Sequence, residues 1–203
     1  MSYGGGFLSL RKWFNLFWKT LLIGSVASLV MGVLLQFGTG KIIFKGSADY
    51  IVYVVMLFGF GILASVYSQM GFFAYLILNY MANGVFSRKV WQYIQMVLTV
   101  LALLELLFFR RIVGGQSDRW SDLVLGLAIL VVSIGVAYYK AKWTNVSAWI
   151  PTLFFMIAIT IVETVGGLRI GVNNATAFIV IPLIACNAYQ ILILHRVVQN
   201  KKS

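Results

Sequence analysis

The sequence predicts an all-α fold: a polytopic integral membrane protein of six transmembrane helices, preceded by an N-terminal amphipathic interfacial helix. Three observations predict it. First, apolar blocks recur near residues 20–38, 50–81, 90–109, 122–139, 147–168 and 175–195, and about 20 helical residues suffice to cross a hydrocarbon core of roughly 30 Å. Second, hydrocarbon offers no partner to backbone N–H and C=O groups, so such segments are helices or strands of a closed barrel. Residues 123–137 lack the alternation that a barrel strand needs. Third, the gaps between blocks are short and basic. All 203 residues are therefore expected to form one membrane domain, with no soluble catalytic or binding domain between spans.

Residues 7–19 place Phe7, Leu10, Phe14, Phe17 and Trp18 on one face, with Arg11, Asn15 and Lys19 at i, i+4 spacing on another. That pattern predicts a helix in the headgroup plane, aromatic side down. The apolar run behind it is too long for a cleaved signal and is expected to stay as an anchor. Span one, 20–38, carries Gly24, Ser28 and Gly32 at four-residue intervals, a stripe expected to pack closely on another helix of the bundle. The second block, 50–81, would make a helix of roughly 48 Å, longer than the bilayer core. It contains Ser65, Ser68, Gln69 and Gly71. A span over about 50–70 is expected, with a break at Gln69-Met70-Gly71 and an extension to 81 along the inner face. A single tilted helix projecting past the membrane is the alternative. Spans three to six follow at about 90–109, 122–139, 147–168 and 175–195. The two three-span halves share no matching polar positions.

Six spans put both termini on one side. That side then holds Arg11, Lys12, Lys19, Arg88, Lys89, Lys140, Lys142, Arg196, Lys201 and Lys202; the other holds Lys41, Lys45, Arg110, Arg111, Arg119 and Arg169. The bias places both termini in the cytoplasm, and Asp49, Asp118 and Asp122 all fall in the opposite loops. We read the membrane as a bacterial plasma membrane, in which Asn145-Val146-Ser147 and Asn174-Ala175-Thr176 are chance matches to a glycosylation signal. The net charge of +11 belongs to span ends that meet lipid headgroups, and no separate basic surface exists to bind nucleic acid. The lone Cys186 permits no internal disulfide. One cysteine and one histidine also exclude the usual zinc and haem sites, and no cofactor is expected.

Two carboxylates lie inside apolar blocks: Glu105 in span three and Glu163 in span five. Charge in hydrocarbon is costly, so such groups face the bundle interior and pair. Glu105 precedes Arg110 by five residues and Glu163 precedes Arg169 by six, which sets both roughly 8–9 Å inside the outer interface. One reading is an outward-facing polar pocket of Glu105, Glu163, Arg110 or Arg111 and Arg169 that takes a small ligand or cation. The other is a pair of internal bonds that hold helix register. Gln69, with Ser65 and Ser68, forms a second polar group near the inner face, at the level of Asn187 and Gln190. It either bonds a neighbouring helix or marks a contact surface. No Ser/His/Asp set, glycine-rich phosphate loop, or cysteine with a basic partner is present, so no enzyme activity is expected. His195 is read as an interface residue.

The segment Ser68-Gln69-Met70-Gly71-Phe72-Phe73-Ala74-Tyr75-Leu76 resembles the KbaA family, the KinB-signalling pathway activation proteins of spore-forming Bacillus relatives. The basic-aromatic N-terminus, the chain length, the six expected spans and the basic end are similar too. The resemblance implies a membrane accessory protein needed by a sensor histidine kinase that feeds the phosphorelay initiating sporulation, and it implies no catalytic residues. The expected partners are then membrane lipids and a membrane histidine kinase. Ser68, Gln69, Gly71, Phe72, Phe73 and Tyr75 are the candidate partner contact. The alternative, from a different class, is a small transporter in which Glu105 and Glu163 bind a cation or proton; it calls for a second polar layer leading inward. The sequence is silent on oligomeric state.

Overall fold

The structure, a computed structural model, describes residues 4–39, 47–105, 119–167 and 174–198. Among the described residues apolar sequence becomes helix, as backbone groups shielded from water require, and no strand occurs there. Helix α1 spans Gly4–Thr39, α2 Ser47–Val85, α3 Arg88–Leu104 and α4 Arg119–Trp143. The fifth leg is composite. A 3-10 turn at Val146–Ala148, started by the Asn145 side chain accepting from the Ser147 N–H, leads into α5, Trp149–Phe154. Pro151 sits in the first turn of α5, where its missing N–H has no intrahelical role. A π-helical turn at Phe155–Ile159 then leads into α6, Thr160–Gly167. Helix α7 is Asn174–Val198.

Among the described residues, five helical stretches are long and apolar enough to cross a membrane: Leu10–Gln36, Ala48–Val85, Gly126–Trp143, Val146–Thr164 and Val180–Val198. The expected third span corresponds to α3, whose 17 residues stop where the remainder of its block, 106–109, leaves the described residues. Two expectations change. Segment 7–19 has no boundary of its own, because α1 runs on through it without interruption. The Thr20 hydroxyl donates to the Leu16 carbonyl at 2.8 Å across that point. The break near Gln69 is also absent. Helix α2 continues through Gly71 for 39 residues, about 58 Å at 1.5 Å per residue, which is the single-helix alternative. Its polar residues do not open the helix because neighbouring helices satisfy most of them.

Helices α1 and α2 pack antiparallel along their length. Trp13 lies against Phe73 with ring centroids 5.8 Å apart. The Ser28 hydroxyl donates to the Leu57 carbonyl at 2.8 Å, and the Tyr53 hydroxyl to the Gly32 carbonyl at 3.2 Å. The small-residue stripe makes this approach possible. A Cβ on Gly24 would strike the Ser65 hydroxyl and lie 2.7 Å from the Gly61 carbonyl oxygen, and one on Gly32 would strike the Leu57 side chain. The stripe therefore serves internal packing. Helix α7 lies against the pair, with Cys186 Sγ 3.5 Å from the Thr20 carbonyl. The composite leg fills the centre: Phe155, Met156, Ile157 and Ile161 are buried. Phe155 packs on Phe72 and Tyr75, at centroid distances of 5.7 and 5.0 Å.

Candidate functional site

Three helices each bring two polar residues, three positions apart, to one level of the bundle: Ser65 and Ser68 on α2, Thr160 and Glu163 on α6, Asn187 and Gln190 on α7. Residues three apart lie on the same helical face, so each pair points one way. All are buried except Glu163, which is half-buried. Asn187 is the hub. Its Oδ1 accepts from the Ser68 hydroxyl at 2.6 Å. Its amide nitrogen donates one proton to Thr160 Oγ1 at 2.9 Å and the other to Glu163 Oε2 at 2.8 Å. Gln190 Oε1 lies 3.1 Å from Ser68 Oγ, but a hydroxyl has a single proton, already used on Asn187. Turning the Gln190 amide so that its nitrogen faces Ser68 lets the hydroxyl accept one bond and donate one.

The second carboxylate oxygen, Glu163 Oε1, is buried without a partner among the described residues. It rests against Gly71. A Cβ there would strike Oε1 and would lie 2.7 Å from Glu163 Cδ and 2.9 Å from Ile159 Cγ2. Gly71 therefore leaves the space the carboxyl group occupies. One turn away, the Ser65 hydroxyl shares its proton between the carbonyls of Gly61 at 2.8 Å and Thr20 at 3.1 Å, with Cys186 Sγ 3.5 Å off.

The nine-residue segment on α2 divides by face. Ser68, Gln69, Phe72 and Tyr75 point into the bundle and Gly71 is half-buried. Gln69 reaches toward the Phe17 carbonyl at 3.5 Å, while its Oε1 has no partner among the described residues. Met70 and Phe73 are exposed.

The expected outer pocket is not assembled in the described residues. Glu105 is exposed, and Arg110 and Arg169 lie outside the described residues. Glu163 instead joins the Ser68 group, so two levels that counting from loop ends kept apart meet in one. The fifth leg contains a π turn just before Thr160 and Glu163, which a count of residues from the loop ends does not register. Thr160 escaped notice, although its i−3 relation to Glu163 was legible. Gln95 also escaped: it is fully buried on α3 with neither amide atom partnered among the described residues. The spacing of Trp91, Gln95, Thr99 and Ala102, the buried face of α3, was the available signal.

This arrangement of one carboxyl, two amides and several hydroxyls holds helices in register and can exchange partners, since Ser68 has two within reach. It has no nucleophile activated by a base. Among the described residues, no group of three or more His, Cys, Asp or Glu is placed to hold a metal ion.

A family model, KbaA, described as KinB-signalling pathway activation in sporulation, matches residues 24–197. The chain belongs to the KbaA family. That match takes in the whole polar level, from Ser65 to Gln190. A curated relative, the KinB-signaling pathway activation protein of Bacillus subtilis (strain 168), is 30% identical over 183 residues, covering 88% of this chain and 92% of the relative. No solved structure matches the chain.

Proposed function

We propose that this KbaA-family chain is a membrane accessory protein that activates a sensor histidine kinase pathway at the start of sporulation. On this reading it resides in a bacterial plasma membrane with both termini cytoplasmic, and acts by helix contact without catalysis. The observation that carries the proposal is the two-faced character of α2 within the segment resembling the family. One face, Ser68 with Phe72 and Tyr75, is locked into the bundle through Asn187 and Phe155. The other presents Met70 and Ile77 to the surroundings, with Phe73 between them partly exposed beside Trp13 of α1, at i, i+3 and i+7, the spacing with which one helix docks on another.

A kinase membrane helix seated on that stripe would act on α2, and α2 carries Ser68. A partner shifts an equilibrium only when it binds two states unequally. The Ser68–Asn187–Glu163 bonds supply those states, made in one rotation of α2 and exchanged in another. The carrier alternative is less well supported, because Glu163 and the Ser68 group form one level rather than two stations along a path.

The test is co-purification from the native membrane in mild detergent. The intact chain is expected to bring a histidine kinase with it, and Met70→Ala/Phe73→Ala to release the kinase while staying folded. Retention of the kinase by that variant would move the contact elsewhere. Absence of any kinase from the intact complex would remove the proposal.

A further inference from the structure

At one end of the bundle, α4 and α7 enclose a lysine. Lys140 is 6% exposed, one turn before α4 ends at Trp143. Its ammonium donates to the Leu192 carbonyl at 3.3 Å and lies 3.4 Å from His195 Nδ1. That nitrogen is itself 2.7 Å from the same carbonyl. A carbonyl only accepts, so Nδ1 carries the proton and cannot take one from the lysine. Two donors thus converge on one acceptor. The ammonium has three N–H bonds and a full charge, and no carboxylate among the described residues pairs with it. The C-terminal end of α7 offers only about half an elementary charge in compensation. Arg196 follows His195 on α7 and Lys142 lies two residues on in α4, both exposed. The place gathers cationic groups with no acid to meet them.

The rim identifies the missing anion. Tyr138, Tyr139 and Trp143 are 56%, 54% and 54% exposed, and their rings run in contact, with centroids 5.9 and 6.1 Å apart. Exposed amphipathic rings at the end of an apolar helix mark the headgroup level of a bilayer. Phospholipid phosphates lie at that level, and basic crevices between helix ends hold anionic headgroups. From these groups we infer that Lys140 and the exposed Arg196, where the ends of α4 and α7 meet beside His195, bind the phosphate of an anionic phospholipid. The ammonium ends a flexible four-carbon stem, so it turns from the Leu192 carbonyl to a phosphate without movement of either helix. The site goes beyond the kinase contact and lies on other helices.

Native mass spectrometry of the full chain, delipidated in detergent, tests it with three probes: phosphatidylglycerol, phosphatidylcholine and inorganic phosphate. Phosphatidylglycerol adducts are expected to survive activation that strips phosphatidylcholine. Lys140→Gln is expected to weaken them about five-fold, the effect of removing one cation worth ~1 kcal/mol near an anionic surface. Lys140→Arg should restore them. Arg196→Gln, exposed and therefore independent of folding, should weaken them as well. Equal retention of both lipids, or intact binding in Lys140→Gln and Arg196→Gln alike, overturns the inference. Retention of inorganic phosphate without phosphatidylglycerol assigns the site to a soluble anion and overturns it too. The readout is lipid binding, so it succeeds or fails independently of the kinase co-purification.

Discussion

Asn187 bonds three side chains on two other helices, so its replacement is felt at all of them. Asn187→Leu leaves the Ser68 hydroxyl and Glu163 Oε2 without this partner in the interior. The expected loss is ~1–3 kcal/mol of stability, as for other stranded buried polar groups, read as a lower unfolding midpoint in detergent. An unchanged midpoint would mean that the hub carries no stability. Gly71 makes a sharper case. Gly71→Ala drives a methyl into the Glu163 carboxyl and should cost ~1–3 kcal/mol by overpacking. Glu163→Ala removes the obstacle, so the double variant is expected to be more stable than Gly71→Ala alone. Purely additive effects in that cycle would show that the two residues do not touch. At this scale the sequence exposes which residues are unusual, since Ser68, Glu163 and Asn187 stand out in apolar surroundings. It does not expose who meets whom, because that depends on relative depth and rotation of three separate helices.

Glycines separate the elements into packed and open positions. A Cβ at Gly24 or Gly61 would meet the opposing helix, whereas one at Gly59, Gly84 or Gly135 meets nothing within 4 Å. Alanine at Gly59 or Gly135 is expected to leave stability unchanged or raise it by up to ~1 kcal/mol, while Gly61→Ala lowers it. Thermal unfolding of the three variants decides this, and the reverse order would contradict the α1–α2 packing. The π turn at Phe155–Ile159 is the other element-level device. One extra residue rotates the downstream helix by roughly 100°, which turns Thr160 and Glu163 toward Asn187. Deleting Ile157 should keep the helical circular dichroism signal but lower the midpoint at least as far as Asn187→Leu does. The stripe of Gly24, Ser28 and Gly32 was readable as a close contact from spacing alone. The π turn was not, since an apolar run looks the same with or without an inserted residue. The break expected in α2 failed for a related reason. Serines and a glycine inside a helix weaken it only when their polar groups stay unmet, and here α1 and α7 meet most of them.

Cys186 is the single cysteine of the chain, and it is buried between Ser65 and Thr20, where it reports on the whole assembly. A membrane-impermeant maleimide is expected to leave it unlabelled in the folded protein and to label it fully after denaturation in sodium dodecyl sulfate. Labelling in the folded state at the rate of a free thiol would contradict α7 lying against α1 and α2. The family, and with it the pathway named for the relative, agrees with what the nine-residue segment on α2 and the overall layout implied.

Block length and hydropathy determined that this chain is helical and suited to a membrane, because unpaired backbone groups in hydrocarbon leave no other choice for residues this apolar. Spacing of like residues along one helix, as in Gly24 and Gly32 or Ser65 and Ser68, was equally a property of the sequence, since a helix repeats every 3.6 residues wherever it sits. Tertiary structure alone decided that Glu163 reaches Asn187 and Gly71, that Glu105 stays exposed, and that Lys140 is enclosed beside His195. Each of those outcomes depends on how far one helix slides and turns against another. Packing sets that, through side chains far apart in the chain, and no local pattern records it.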